Sequence, residues 1–209
     1  MKRLVLLSLF LVLSAVLSSA QTFHDDFEFG LVQWTGKSGG PHHGIVVADP
    51  LNPANHVLSF DATVNTGDIF SPEIAVSLGS SYILSFDYLG VPVLGTPADD
   101  TGGMIGISNG TPGDDLRWFA GTIDDNYIVL EVIDDGQWHS YSITFDAYAE
   151  LSIPSGTLRI TLEDWDGAAC VACTPGVSGD AFFDNVRLQP VGPVPADETT
   201  WGRIKTLYN

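Results

Sequence analysis

The 209-residue chain carries 26 acidic against 8 basic side chains, a formal net charge of −18, with 44% hydrophobic residues and two cysteines. So acidic a chain excludes nucleic acid as a partner, because phosphate binding needs a basic footprint. The length suits one domain, with a core large enough to stand without metals or many disulfides.

In chain order, Lys2-Arg3, an apolar run from Leu4 to Leu17 and Ser18-Ser19-Ala20 have the charged, apolar and small-residue parts of a secretory leader, cleaved after Ala20. The run is too short for a spanning helix, which needs about 20 apolar residues. Residues 1–20 are therefore expected to be a signal peptide, residues 21–189 one folded domain and residues 190–209 a linker and tail. The expected location is extracellular, with no membrane span in the mature chain.

From there to Leu188 the signal is period-two alternation. Leu58, Phe60, Ala62 and Val64 share one face, with Ser59, Asp61 and Thr63 on the other. Tyr82, Leu84, Phe86 and Tyr88 alternate with Ser85 and Asp87. Further strands are expected at Met104 to Ser108, Leu116 to Ala120, Tyr127 to Ile133, Trp138 to Phe145, Thr157 to Glu163 and Ala181 to Leu188. Asn109-Gly110, Pro112-Gly113 and Asp135-Gly136 supply turns. No helical period interrupts them. Many short strands in one domain predict an all-β fold, a two-sheet antiparallel jelly-roll β-sandwich.

Several polar features invite a functional reading. Five Asp-Asp pairs read chiefly as solvated turns, and some subset of them as sites for a cation such as calcium. Glu163-Asp164-Trp165-Asp166-Gly167 reads as a hydrated turn, with the start of a calcium loop as the other reading. Cys170 and Cys173, in a loop of an exported chain, are expected to form a short disulfide. Trp165 and Trp118, the latter beside Arg117, are the tryptophans placed to stack on a sugar, core packing being the competing reading. Trp34 and Trp138 read as packing residues. Asp184, by alternation, shares a face with Phe182, Val186 and Leu188, where a lone carboxylate needs a partner. No nucleophile elbow, zinc-protease helix or alternating-acid glucanase strand is present, so no enzyme is expected.

Asp26-Phe27-Glu28-Phe29-Gly30-Leu31 with Trp34 resembles the opening strand of secreted jelly-roll carbohydrate-binding modules. Phe182-Phe183-Asp184-Asn185-Val186-Arg187-Leu188 resembles their last strand. Asp134-Asp135-Gly136-Gln137-Trp138-His139 is similar to a turn of laminin-G-type sandwiches. The stretch from Phe86-Asp87-Tyr88 to Asp184-Asn185 also resembles bacterial surface domains that precede C-terminal anchors. The resemblance implies a non-catalytic carbohydrate-binding or lectin-like module, or a structural, self-associating surface protein. A small secreted glycoside hydrolase is the third reading. The resemblance to carbohydrate-binding modules also implies first and last strands side by side and a structural calcium held by Asp184 with Asp26 and Glu28, Asp25 being a substitute; the other reading of Asp184 is a carboxylate bonded to turn backbone. Its partners would be an extracellular glycan or its own subunits. The tail, residues 199–209, would dock on a sorting or assembly partner or be a frayed end.

Overall fold

A computed structural model of the chain describes residues 23–60, 68–77, 79–91, 102–122, 128–146, 156–164 and 181–192. The leader, the region of Trp165, Cys170 and Cys173, and the tail lie outside the described residues.

Twelve strands are described. They are β1 (Phe23–Asp25), β2 (Gly44–Ala48), β3 (His56–Phe60), β4 (Ile69–Phe70), β5 (Ile74–Ala75) and β6 (Ser81–Gly90), then β7 (Gly103–Asn109), β8 (Arg117–Gly121), β9 (Leu130–Glu131), β10 (His139–Asp146), β11 (Thr157–Asp164) and β12 (Ala181–Pro190). They form two sheets. Sheet A runs β10-β6-β12-β3-β2, with β1 also paired to β12; sheet B runs β4-β11-β7-β8-β9, with β5 also paired to β11. All pairings are antiparallel except that of β8 with β9. From β3 onward the chain crosses repeatedly between the sheets. This leaves β3, β12, β6 and β10 in sheet A facing β4/β5, β11, β7 and β8 in sheet B, the interleaving of two Greek keys that defines a jelly roll.

The alternating apolar residues supply the core. Phe60, Tyr82, Leu84, Phe86, Tyr88 and Phe183 of sheet A meet Ile105, Ile107, Phe119, Leu158, Ile160 and Leu162 of sheet B, all buried. Each such side chain contributes about 1.5–3 kcal/mol by leaving water. First and last strands are neighbours, as the resemblance implies, with Phe23 opposite Leu188 and Asp25 opposite Val186.

The opening motif departs from its expected form. The strand is Phe23–Asp25, and Asp26–Leu31 is a turn. Asp25 Oδ1 accepts from Phe27 N at 2.8 Å, and Phe27 takes a left-handed φ of 58°. That places its ring, fully buried, 5.7 Å from Trp34. Trp34 is a packing residue, as expected, its indole donating to Asp25 Oδ2 at 2.7 Å.

A second departure decides which way Asp184 points. Between Asp184, opposite Asp87, and Arg187, opposite Ser85, β12 holds one residue more than β6. The bulge centres on Asn185, at φ 50°, a left-handed conformation that Asn tolerates better than most residues. Alternation is therefore broken. Phe183, Val186 and Leu188 face the core, whereas Phe182 packs in a separate cluster and Asp184 shares its side of the sheet. Asp184 does not share a face with Val186 and Leu188, and it does not point into the sandwich.

Sheet B has its outer face covered. Thr35 bridges Phe70, and Ser38 N donates to Pro112 O at 2.9 Å, so residues 35–40 form a strap from β4 towards the β7–β8 turn. Every residue of β7 from Gly103 to Ser108 is buried, on both faces. Glu163 and Asp164, where a hydrated turn is expected to begin, instead end β11 and are both buried; the rest of that expected turn, residues 165–167, lies outside the described residues.

Candidate functional site

The outer face of sheet A divides in two. At one end Val57, Leu89 and Phe182 form a small buried cluster against Val47 and Trp138. The Trp138 indole donates to Asp49 Oδ1 at 3.0 Å, and Leu51 N donates to the same oxygen at 2.8 Å. Burial raises the Asp49 pKa, but these donors and Asn55 outweigh it, and the carboxyl sits below its ordinary value.

Beyond this cluster the face opens into a shallow trough of about 330 Å³, lined by His24, Ser85, Phe86, Asp87, Ser140, Tyr141, Asn185 and Arg187. Three strands build it through one register: Ser140 and Asp184 both lie opposite Asp87, and Arg187 lies opposite Ser85. From β1, His24 lies opposite Arg187. Ser140 Oγ donates to Asp87 Oδ1 at 2.5 Å and Asn185 Nδ2 to Asp87 Oδ2 at 2.8 Å. Asp184, just behind, accepts from Asn185 N at 2.7 Å and from Asn55 Nδ2 at 3.0 Å. The Asp184 pKa is raised, first by burial and then by the carboxylates of Asp87 and Asp26, against the lowering effect of those two donors. The site is thus a preorganised set of hydroxyl, amide, carboxylate, guanidinium and imidazole groups on a rigid sheet.

The residues singled out in the sequence fall elsewhere or fall apart. Arg117 is exposed at the start of β8, and half-buried Trp118 lies opposite Gly106, between core residues Ile105 and Ile107. Trp118 therefore faces outward from sheet B, across the sandwich from the trough. Trp165 lies outside the described residues. Asp26 is close enough to Asp184 to raise its pKa. Glu28 is engaged by His56, whose N donates to Oε1 at 2.9 Å and whose Nδ1 lies 3.0 Å from Oε2; these bonds hold its pKa below the ordinary value. Among the described residues no group of three or more His, Cys, Asp or Glu is arranged to hold a metal ion. Of the three expected calcium ligands, Asp26 thus lies near Asp184 while Glu28 is drawn to His56.

Ser85 and Asp87 were legible as the wet side of an amphipathic strand. Ser140, Asn185, Arg187 and His24 were missed. The β10 alternation marked Ser140 as wet, but only the bulge and the pairing of β1 and β6 with β12 bring the others to it.

No family model and no curated protein matches the sequence. Similar solved structures include the tandem CBM22 domains of a Paenibacillus barcinonensis enzyme, at 18% identity and TM-score 0.47, covering 80% of this chain, which spans 49% of that one. A CBM6 of a marine laminarinase from Zobellia galactanivorans is similar at 12% identity and TM-score 0.44, with 81% and 99% covered. The K1 cleaved adhesin domain of Lys-gingipain from Porphyromonas gingivalis is similar at 13% identity and TM-score 0.47, with 82% and 99% covered. The jelly-roll assignment rests on this chain's own strand order.

Proposed function

We propose that the protein is a secreted, non-catalytic carbohydrate-binding module that holds a glycan in the trough on the outer face of sheet A. The trough carries this reading: its donors and acceptors alternate over a few ångströms on rigid strands, which matches a ligand dense in hydroxyls. Half-buried Trp138 precedes Ser140 by two residues on the same face and offers an apolar surface at the trough's end. Hydrolysis is not supported, because a glycosidase uses two carboxyl groups across one bond. Asp87 is the one carboxylate among the trough's lining residues, and both its oxygens are bonded. Export rests on the leader-like residues 1–20. Among the described residues no helix is long and apolar enough to cross a membrane.

Affinity electrophoresis of the full chain against a panel of soluble polysaccharides tests the proposal. At least one should retard the protein, and Asp87→Ala should weaken that retardation at least tenfold without changing the circular dichroism spectrum. No retardation by any glycan refutes the reading. Loss in Trp118→Ala, Arg117→Ala or Trp165→Ala, with Asp87→Ala unaffected, would move the site to the tryptophan positions.

A second reading, a self-associating surface protein, is favoured by Phe29 and Val32, which are 93% and 94% exposed on two consecutive turns. Apolar side chains so placed mark contact surfaces when they adjoin. Sedimentation should show concentration-dependent association lost in a Phe29→Ser, Val32→Ser variant; a monomer at all concentrations removes this reading. For residues 199–209 we propose docking on a sorting or assembly partner. Their deletion should change surface retention and leave melting unchanged.

A further inference from the structure

Within the trough, one guanidinium and one imidazole have no partner among the described residues, in a chain that has 26 acidic residues. Arg159, by contrast, is fully engaged, by Gly110 O at 2.8 Å, Ser71 O at 2.7 Å and Glu73 Oε1 at 3.2 Å. The side chains of Arg187 and His24, side by side across the β1–β12 pairing, make no ion pair or hydrogen bond with a described residue. The nearest carboxylates are occupied by neutral donors instead: Asp87 by Ser140 and Asn185, Asp184 by Asn55 and Asn185. This arrangement keeps Arg187 off both aspartates and leaves its planar fork of donors facing the open trough.

We infer that Arg187 and His24 receive the carboxylate of a uronic acid residue, while Asp87, Ser85 and Ser140 meet the hydroxyls of the same or the adjoining sugar. The inference rests on the glycan-binding reading and specifies its ligand. A guanidinium matches a carboxylate with two parallel hydrogen bonds, which a sugar hydroxyl cannot reproduce. The charge of the whole molecule limits how many such groups the ligand carries. At −18 the body repels a polyanion along its length, whereas one contact pair acts within about 4 Å, well inside a screening length of about 8 Å at physiological salt. The ligand class is therefore a largely neutral glycan bearing isolated uronic acid residues, not a polyuronate.

Calorimetric titration of the full chain with oligosaccharides carrying one glucuronic acid residue, and with the same oligosaccharides after reduction of that carboxyl to an alcohol, tests this. The acid form should bind about tenfold more tightly, a difference of about 1.4 kcal/mol. That ratio should shrink as salt is raised and fall to one in Arg187→Gln. Equal affinity of the acid and reduced forms for the native protein would overturn the inference and leave the glycan reading standing. A ratio that survives in Arg187→Gln, or tighter binding of polygalacturonate than of the singly charged ligand, would also overturn it. Binding of neither form in any oligosaccharide would remove the glycan reading itself.

Discussion

The outer faces of the two sheets began with the same problem, polar residues alternating with core residues, and met it in opposite ways. On sheet A the polar residues stay open: Asp87, Ser140 and Asn185 bond one another, and Arg187 and His24 point to solvent. On sheet B they are buried. Glu163 is 5% exposed and Thr161 fully buried, and Thr161 Oγ1 and Thr35 Oγ1 have no hydrogen-bond partner. Burial, with the neighbouring Asp68 carboxylate and a hydrogen bond to it, raises the Glu163 pKa to about 9 against the lowering effect of Lys37. A buried polar group without a partner costs about 1–3 kcal/mol. The covered face therefore carries a stability cost, whereas the open face keeps its polar groups available to a ligand, which is why the functional proposal lies on sheet A.

The comparison can be broken most sharply at the dry end of sheet A. Phe182 is 4% exposed in the small cluster with Val57 and Leu89. Phe182→Ala should cost about 3–5 kcal/mol, whereas Ser140→Ala in the trough should cost less than about 1 kcal/mol; urea denaturation measures both. Similar small losses would show that the cluster is not a second core.

On sheet B the sharper test is pH. Glu163 in the folded chain holds its proton up to about pH 9, whereas its ordinary value is 4.5. The raised pKa contributes stability that is fully present below pH 4.5 and lost as pH rises through 9. The slope for one proton is on the order of 1 kcal/mol per pH unit. Glu163→Gln, which keeps a neutral donor towards Asp68, should flatten this part of the profile and stabilise the protein at pH 8 more than at pH 5. An unchanged difference between the two pH values would contradict a protonated Glu163.

A smaller effect is expected two residues earlier on the same face. Thr161→Val replaces a buried hydroxyl that lacks a partner by a methyl of similar volume, and should raise stability by about 1 kcal/mol. Destabilisation would reveal that the hydroxyl bonds a buried water.

The smallest effect concerns Asp26, Glu28 and Asp184. With Glu28 held by His56 and the three carboxylates not gathered into a ligand group, melting curves in chelator and in millimolar calcium should coincide. A calcium-dependent rise abolished by Asp184→Ala would instead establish the cation that the resemblance implies. At a hundredfold excess over its dissociation constant such a cation would stabilise by about 2.7 kcal/mol.

By itself the sequence determined the fold class. Period-two alternation at Tyr82–Tyr88 and Thr157–Glu163 is a local property, and it places one face of each strand in a core whatever the strand's neighbours are. It also determined Trp34 as a packing residue and the chemistry available on the wet faces, Ser85 and Asp87 among it. Three matters were decided only by tertiary structure, each because it depends on residues far apart in the chain. The bulge at Asn185 turned Asp184 out of the interior, and alternation cannot register an inserted residue until the partner strand is known. Glu163, which from its own neighbours reads as the start of a hydrated turn, is buried beside Asp68 and Lys37, both distant in the chain. The trough gathers His24, Asp87, Ser140 and Arg187 from four strands whose order in the sheet no local pattern contains, because strand pairing is fixed by how the whole core closes.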